Sequence, residues 1–137
     1  MRLLARLLSP RATVYAHCDL PCGVYDPAQA RIEAESVKAI IQKYHDSSDP
    51  AFQTRALIIK EQRSELVKHH LWVLWTDYFK PPHFEKYPQL NQLFNEATKL
   101  AGGGAGGTKS STDVAAADQL LAKIEEISKI FWETKQG

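Results

Sequence analysis

The sequence predicts an all-α protein, an antiparallel up-down four-helix bundle that follows a short N-terminal segment of different character. Beyond residue 26, apolar residues recur at spacings of three and four over most of the chain, which is helical periodicity. No run alternates polar and apolar residues as a half-buried strand would. Short connections join the periodic segments, and these favour antiparallel neighbours. At 137 residues the chain is long enough to bury a core as one domain.

An aspartate followed by a proline opens each of the first two predicted helices. Asp26-Pro27 begins the first helix, which runs to about His45, and Asp49-Pro50 begins the second, which runs to about Phe79. Aspartate is a favoured N-cap residue, and proline is well tolerated at the first helical position. Lys80-Pro81-Pro82 ends the second helix, because proline lacks the amide donor that a helix needs.

Two further helices complete the predicted bundle. The third begins near Pro88 and ends by Ala101, and the fourth runs from about Thr112 to Glu133. The fourth helix carries an apolar stripe at spacings of three and four, as expected of a helix packed in a bundle. The stripe consists of Ala117, Leu120, Ile124, Ile127 and Phe131.

Residues 102–111 between these helices are rich in glycine, serine and threonine, a composition typical of a flexible linker. The stretch 102–110 resembles a phosphate-binding loop only superficially. Thr108, rather than a glycine, precedes Lys109, and no predicted strand leads into the stretch as that motif requires. The sequence therefore predicts a linker and no phosphate-binding loop.

The second helix contains five consecutive apolar residues, Leu71 to Trp75, which cover its whole circumference. A helix that is apolar on all sides is buried on more than one side, so we expect a subunit interface here. The alternative is that Trp72 or Trp75 lies under a loop of the same chain.

The charge is nearly balanced, with 17 Lys and Arg against 16 Asp and Glu. This balance argues against nucleic acid or an anionic membrane as a partner. No stretch approaches the roughly 20 apolar residues of a membrane span. The protein is accordingly expected to be cytoplasmic.

Residues 1–16 differ from the rest, because they carry three arginines and no acidic residue. Arg2 and Arg6 stand four apart among leucines, which predicts a short basic amphipathic helix. Arg6 also interrupts the apolar run that a secretory signal needs. We therefore interpret residues 1–16 as a leader segment. An organelle transit segment is the alternative.

The only two cysteines, Cys18 and Cys22, lie in the segment His-Cys-Asp-Leu-Pro-Cys-Gly at residues 17–23. If proteolysis makes His17 the first residue, its amine, the Cys18 amide and the Cys18 thiolate close fused chelate rings on one metal. Pro21 and Gly23 shape the turn so that the Cys22 thiolate reaches the fourth corner. The imidazole of His17 then remains available as an axial ligand.

A planar set of two nitrogens and two thiolates suits nickel or copper better than zinc, which prefers a tetrahedron. The pattern of a histidine followed by two cysteines also leaves other interpretations open. These are a disulfide, a shared zinc site and unreactive thiols. The predicted organisation is a leader at 1–16, a metal-binding hook at 17–25 and a four-helix-bundle domain at 26–137.

The stretch from His17 to Glu33 resembles the metal-binding hook of the nickel superoxide dismutases. Four later stretches, at 52–55, 59–63, 77–88 and 130–135, are similar to the same family. The resemblance covers nearly all of the chain from His17 onward. It implies removal of the leader by a maturation protease, superoxide as the substrate, and a homohexamer with one nickel ion per subunit.

The resemblance also implies roles for single residues. His17, Cys18 and Cys22 are the expected nickel ligands, and the Leu20-Pro21 bond is expected to be cis. Glu33 and Arg63 are implied partners of the His17 imidazole, while Tyr25 and Tyr78 guard substrate access. Asp19 is placed beside the metal, and Tyr25 is in addition a candidate proton donor.

The residue pattern supports the roles of Glu33 and Arg63 independently. Glu33 shares a helix face with Val37, Ile40 and Tyr44, and Arg63 interrupts the apolar stripe of Phe52, Ala56, Ile59 and Leu66. A buried carboxylate and a buried guanidinium each need a partner, which a shared imidazole supplies. Alternatively, the two side chains pair with each other or extend to solvent. Tyr25 could equally be a packing residue.

Two other functions remain open at this point. One is a nickel-binding or nickel-delivery protein that uses the same hook without turnover. The other is a helical interaction module whose two thiols are incidental. Glu33, Arg63 and Tyr25 favour the enzyme, because metal carriage does not need them.

Overall fold

The structure, a computed structural model, describes residues 22–137. No strand occurs in this range, which confirms the predicted all-α class. A π-helical turn, Leu74–Tyr78, continues the second helix. The α-helices are α1 (Ala28–Asp46), α2 (Pro50–Val73), α3 (Pro81–Lys86), α4 (Leu90–Leu100) and α5 (Val114–Gln136). None of the described helices is long and apolar enough to cross a membrane.

Aspartate side chains cap the N-termini of three helices. A backbone amide two residues further on donates to Oδ1 of Asp26 at 2.8 Å, of Asp49 at 3.0 Å and of Asp113 at 2.9 Å. Each bond satisfies one of the amides that have no partner within the helix. The two predicted aspartate-proline starts are therefore confirmed, and α5 begins slightly later than expected.

Helices α1 and α2 form an antiparallel hairpin. Gln53 at the start of α2 donates to the carbonyl of Tyr44 near the end of α1 at 3.3 Å. Further along α2, Arg63 pairs with Glu33, which lies earlier in α1. Helix α1 packs on both α2 and α5, and α4 packs on α5 and α2. The four long helices thus form the predicted bundle.

One main core lies between these helices. The predicted stripe of α5 is confirmed, because all five of its residues are fully buried. Phe94 of α4 stacks on Trp75 with ring centroids 5.6 Å apart and contacts Phe79 at 5.5 Å. The largest buried side chains of the core are Leu71, Leu74, Leu90, Phe94, Leu120, Ile124, Ile127 and Phe131.

The end of α2 differs from the prediction. The α-helical hydrogen bonding ends at Val73, and the π-helical turn carries the chain to Tyr78. The prolines at 81 and 82 end the long helix and also begin α3, where they stand at its first positions. Within the single chain, Trp72 of the apolar run 71–75 is 41% exposed, and the subunit interface expected there stays a prediction.

The glycine-rich segment also differs from the prediction, because it has a defined conformation. The amide of Thr108 donates to the carbonyl of Leu100 at 2.7 Å, and that of Lys109 donates to Gly102 at 3.1 Å. A β-carbon on Gly107 would lie 2.3 Å from the carbonyl oxygen of Gly102, so only glycine fits there. The flexible-linker prediction is wrong.

A buried lysine of α2 holds this segment in place. Lys60 is 2% exposed, and its Nζ donates to the carbonyls of Thr108 at 2.7 Å, Lys109 at 3.0 Å and Ser111 at 2.7 Å. The hydroxyls of Ser64 and Thr108 are hydrogen-bonded at 2.9 Å. The buried face of α2 is therefore partly polar, and the predicted stripe is wrong in part: Phe52 is 41% exposed.

Candidate metal centre and its surroundings

The described part of the hook begins at Cys22. The residues His17, Cys18, Asp19 and the Leu20-Pro21 bond lie outside the described residues. The Cys22 side chain is exposed, and its Sγ donates to the carbonyl of Val24 at 3.9 Å. Gly23 has a φ of 77°, in the left-handed region that favours glycine. An exposed thiol beside such a turn suits a chain that folds back onto a metal.

Tyr25 connects the hook to the end of α2. Its ring contacts that of Tyr78 with centroids 5.5 Å apart and planes at 57°. Both rings are half-buried and pack against the main core. The two tyrosines predicted to guard the site are therefore neighbours, although one precedes α1 and the other ends the π-helical turn.

The surroundings of Tyr78 include residues that the sequence analysis did not single out. The Tyr78 hydroxyl is hydrogen-bonded to that of Thr134 at 2.6 Å. Nζ of Lys135 lies 5.0 Å from the Tyr78 ring centroid, and His83 stacks on that ring at 5.9 Å. Thr134 and Lys135 fall within the family-like stretch 130–135, but no spacing argument relates them to Tyr78.

Glu33 and Arg63 pair with each other. Nη1 of Arg63 donates to both carboxylate oxygens of Glu33, at 3.2 and 3.1 Å. The Glu33 side chain is 18% exposed and that of Arg63 is 39% exposed. This is the contact that the alternative interpretation expected. It also fixes the orientation of a largely buried carboxylate, whose remaining lone pairs can accept a further donor.

Side chains of the types that commonly ligate metals do not cluster in the described part of the chain. No group of three or more His, Cys, Asp or Glu side chains with a suitable arrangement occurs among them. His69 and His70, adjacent on α2, have ring planes 68° apart. The other expected nickel ligands, His17 and Cys18, precede the described residues.

Comparison with known proteins decides the family. The family model described as nickel-containing superoxide dismutase matches residues 12–135. The chain belongs to the nickel-containing superoxide dismutases. It is 61% identical over 135 residues to the protein named superoxide dismutase (Ni) from Streptomyces coelicolor and to that from Streptomyces seoulensis. Each alignment covers 98% of this chain and 100% of the relative.

Solved structures of nickel superoxide dismutases have the same fold. A native structure is 62% identical with a TM-score of 0.83, and it matches 88% of this chain and 100% of its own. A structure with nickel ligation of the oxidised state is 63% identical, with the same TM-score and coverage. The resemblance drawn from the sequence is confirmed, and so is the helical-bundle class.

Proposed function

We propose that this chain is a nickel superoxide dismutase that becomes active when proteolysis exposes His17. Two superoxide anions and two protons are converted to one molecule of oxygen and one of hydrogen peroxide. The observation that supports this most is the 61% identity over the full length of two relatives with this name. The non-catalytic nickel-delivery alternative is not favoured by that match.

The nickel ligands in this proposal are His17, Cys18 and Cys22. The structure supports the last of these through an exposed thiol and the left-handed Gly23 that follows it. Thiolate and nitrogen donors together suit nickel. When bound, the nickel ion supplies the one-electron redox chemistry of the reaction. The side chains around it bind the substrate, exclude other molecules and supply protons.

Tyr25 and Tyr78 are proposed to control access. Their contact, at 5.5 Å between centroids, is part of a wall that continues to Phe131, 4.4 Å from Tyr78. The proposed role of this wall is to admit a small anion and to exclude larger reductants. The Tyr25 hydroxyl is the proposed source of a proton, and Asp19 is placed beside the metal by the family resemblance alone.

Positive charge near this wall is proposed to attract superoxide. Lys135 lies over the Tyr78 ring, and Lys80 donates from Nζ to the carbonyl of Asp77 at 2.7 Å. Without residues 1–16 the chain has 14 basic and 16 acidic side chains, so its net charge does not attract an anion. Attraction must therefore be local.

Glu33 and Arg63 are proposed to position the His17 imidazole. The Arg63 guanidinium already fixes the Glu33 carboxylate in the described part of the chain. A carboxylate that accepts the second ring N–H of a ligating histidine sets the tautomer and direction of that ring. This role acts through His17 and does not require contact with the substrate.

The proposal extends to the assembly and maturation of the chain. We propose a homohexamer that lies in the cytoplasm and a maturation protease that removes residues 1–16. Large apolar side chains on the described surface support association: Val24 is 73% exposed, Ile58 54%, Ile32 53% and Trp132 48%. Light scattering on the mature chain would give a hexamer mass, whereas a monomer mass would contradict this part.

Replacement of one thiol tests the function. Cys22→Ser in the mature chain removes a proposed ligand, so nickel content and superoxide consumption should both fall to background. Ser48→Ala alters an exposed residue between α1 and α2, away from the hook, and should change neither. If Cys22→Ser retained turnover, the proposed ligand set would be wrong. If the unaltered chain bound nickel without consuming superoxide, the delivery alternative would replace the enzyme.

A further inference from the structure

A cavity of about 420 Å³ lies between α2, the end of α4 and the glycine-rich segment. None of the residues proposed for the nickel centre lines it. Its polar side chains are Lys68 from α2 and Lys99 from α4, and backbone forms much of the remaining wall. The remaining lining residues are Leu100, Gly102, Gly103, Gly104, Ala105 and Gly107.

The backbone of this wall includes amide donors that have no acceptor among the described residues. Three of its carbonyls are engaged: Thr108 donates to Leu100, Lys109 to Gly102, and both Gly107 and Ser110 to Gly104. By contrast, the amides of residues 103–105 donate to no protein acceptor within the described chain. Consecutive amides without acceptors in a turn are a common setting for anion binding.

The two lysines add positive charge that no carboxylate of the described chain neutralises in an ion pair. The nearby Glu65 is engaged by Lys109, whose hydrogen bond lowers the Glu65 pKa. Glu96 is engaged by Lys123 at 2.9 Å. Nζ of Lys68 instead lies 5.2 Å from the Trp72 ring centroid. Both Lys68 and Lys99 are thus available to a ligand.

We propose that this cavity binds a small, multiply charged oxyanion of the phosphate type. Lysine is a point-charge donor suited to phosphate oxygens, and glycines let the backbone approach them closely. This site is not the phosphate-binding loop that residues 102–110 superficially resemble. Lys109, the lysine of that motif-like stretch, faces Glu65, and the two charges come from neighbouring helices.

Calorimetric titration of the full chain with inorganic phosphate and with tripolyphosphate tests the proposal. We expect saturable binding with a Kd of about 1 mM or tighter for at least one of them. Equal affinities indicate a site for a single phosphate group, and tighter binding of tripolyphosphate indicates a site for a phosphate chain. If neither ligand saturates the protein, the proposal is wrong.

Two double variants distinguish the effect of the cavity lysines on binding from the effect of net charge. Lys68→Met with Lys99→Met should weaken binding about tenfold or more, because each lysine contributes a charge-assisted hydrogen bond. Lys86→Met with Lys129→Met makes the same change in net charge outside the cavity and should alter Kd less than about twofold. Equal effects of the two pairs would overturn the proposal.

Gly103 offers a second test that does not depend on the lysines. A β-carbon there would meet nothing within 4 Å, so the position accepts a side chain without displacing its neighbours. Gly103→Asp places a negative charge at the cavity and should weaken binding about tenfold, while the isosteric Gly103→Asn should bind nearly as the unaltered chain does. Similar Kd values for Gly103→Asp and the unaltered chain would contradict the assignment.

Discussion

The replacement of Lys60 by methionine tests the account of the glycine-rich segment. Lys60 is the one side chain that joins α2 to three carbonyls of this segment, those of Thr108, Lys109 and Ser111. Methionine has a similar length and no donor. The Lys60→Met variant therefore removes the three hydrogen bonds and the buried charge, and fills much of the same space.

The expected cost follows from how buried each acceptor is. The Lys60 bond to Thr108 is buried, and Thr108 itself has no exposed surface, so its carbonyl loses a donor that water does not replace. A buried carbonyl without a hydrogen-bond donor lowers the unfolding free energy by about 1–3 kcal/mol. The other two bonds are partly exposed, and removal of the desolvated ammonium offsets some of their loss. We expect a net loss of about 2 kcal/mol in unfolding free energy.

Urea unfolding followed by circular dichroism measures this loss, with the exposed Lys86→Met as a control that should unfold like the unaltered chain. Burial lowers the pKa of Lys60 below its ordinary value of 10.5, partly opposed by Glu61. The unfolded chain then binds the proton more tightly than the folded chain. The stability of the unaltered chain relative to Lys60→Met should therefore rise with pH between the folded pKa and 10.5.

Two results would refute this reasoning. An unfolding free energy of Lys60→Met equal to or above that of the unaltered chain would show that the three bonds do not stabilise the segment. A stability difference that falls as the pH rises towards 10.5 would contradict the stated pKa direction.

Three further predictions concern the site and the glycine-rich segment. Tyr25→Phe should lower the rate of superoxide consumption if the hydroxyl supplies a proton, and full activity would exclude that role. Lys135→Met should lower the rate of superoxide consumption at low ionic strength and weaken the dependence of that rate on salt, whereas Lys129→Met should do neither. Equal rates for the two variants would show that Lys135 does not attract the substrate. Gly107→Ala should lower unfolding free energy by at least about 2 kcal/mol, because its β-carbon would lie 2.3 Å from the Gly102 oxygen. Gly104→Ala, with open space around the position, is its control, and equal stabilities would contradict the close approach.

Features that depend on local chain chemistry could be predicted from the sequence. The aspartate caps at 26 and 49 act on amides two residues away, and the apolar stripe of α5 shows the helical period directly. The all-α class follows from these same signals. The short helix α3 is not evident from the sequence, because consecutive prolines indicate the end of a helix although they also suit the first turn of the next one.

Features that depend on contacts between distant residues could not be predicted. Lys60 is buried because carbonyls about 50 residues away surround its ammonium group, and no local pattern shows that arrangement. The same contacts give the glycine-rich segment its conformation despite a composition typical of linkers. The burial of Lys60 and Ser64 also explains why the buried face of α2 was assigned incorrectly.

The candidate site could be predicted only in part, because several of its contacts join residues that are distant in the sequence. The family resemblance named both Tyr25 and Tyr78, and the structure brings their rings together. Lys135 and Thr134 were not singled out, because their contacts with Tyr78 join the last helix to the end of α2. The roles of His17, Cys18, Cys22, Glu33 and Arg63 remain predictions that rest on chemistry and resemblance.

The most direct test of the central proposal compares two forms of the chain, one that begins at His17 and the full chain from Met1. Nickel content and superoxide consumption are measured for both after identical exposure to nickel. A peptide bond to residue 16 converts the His17 amine into an amide, so the full chain lacks one proposed ligand. The account predicts stoichiometric nickel and rapid superoxide consumption only for the chain that begins at His17. Equal nickel content and equal activity in the two forms would contradict it.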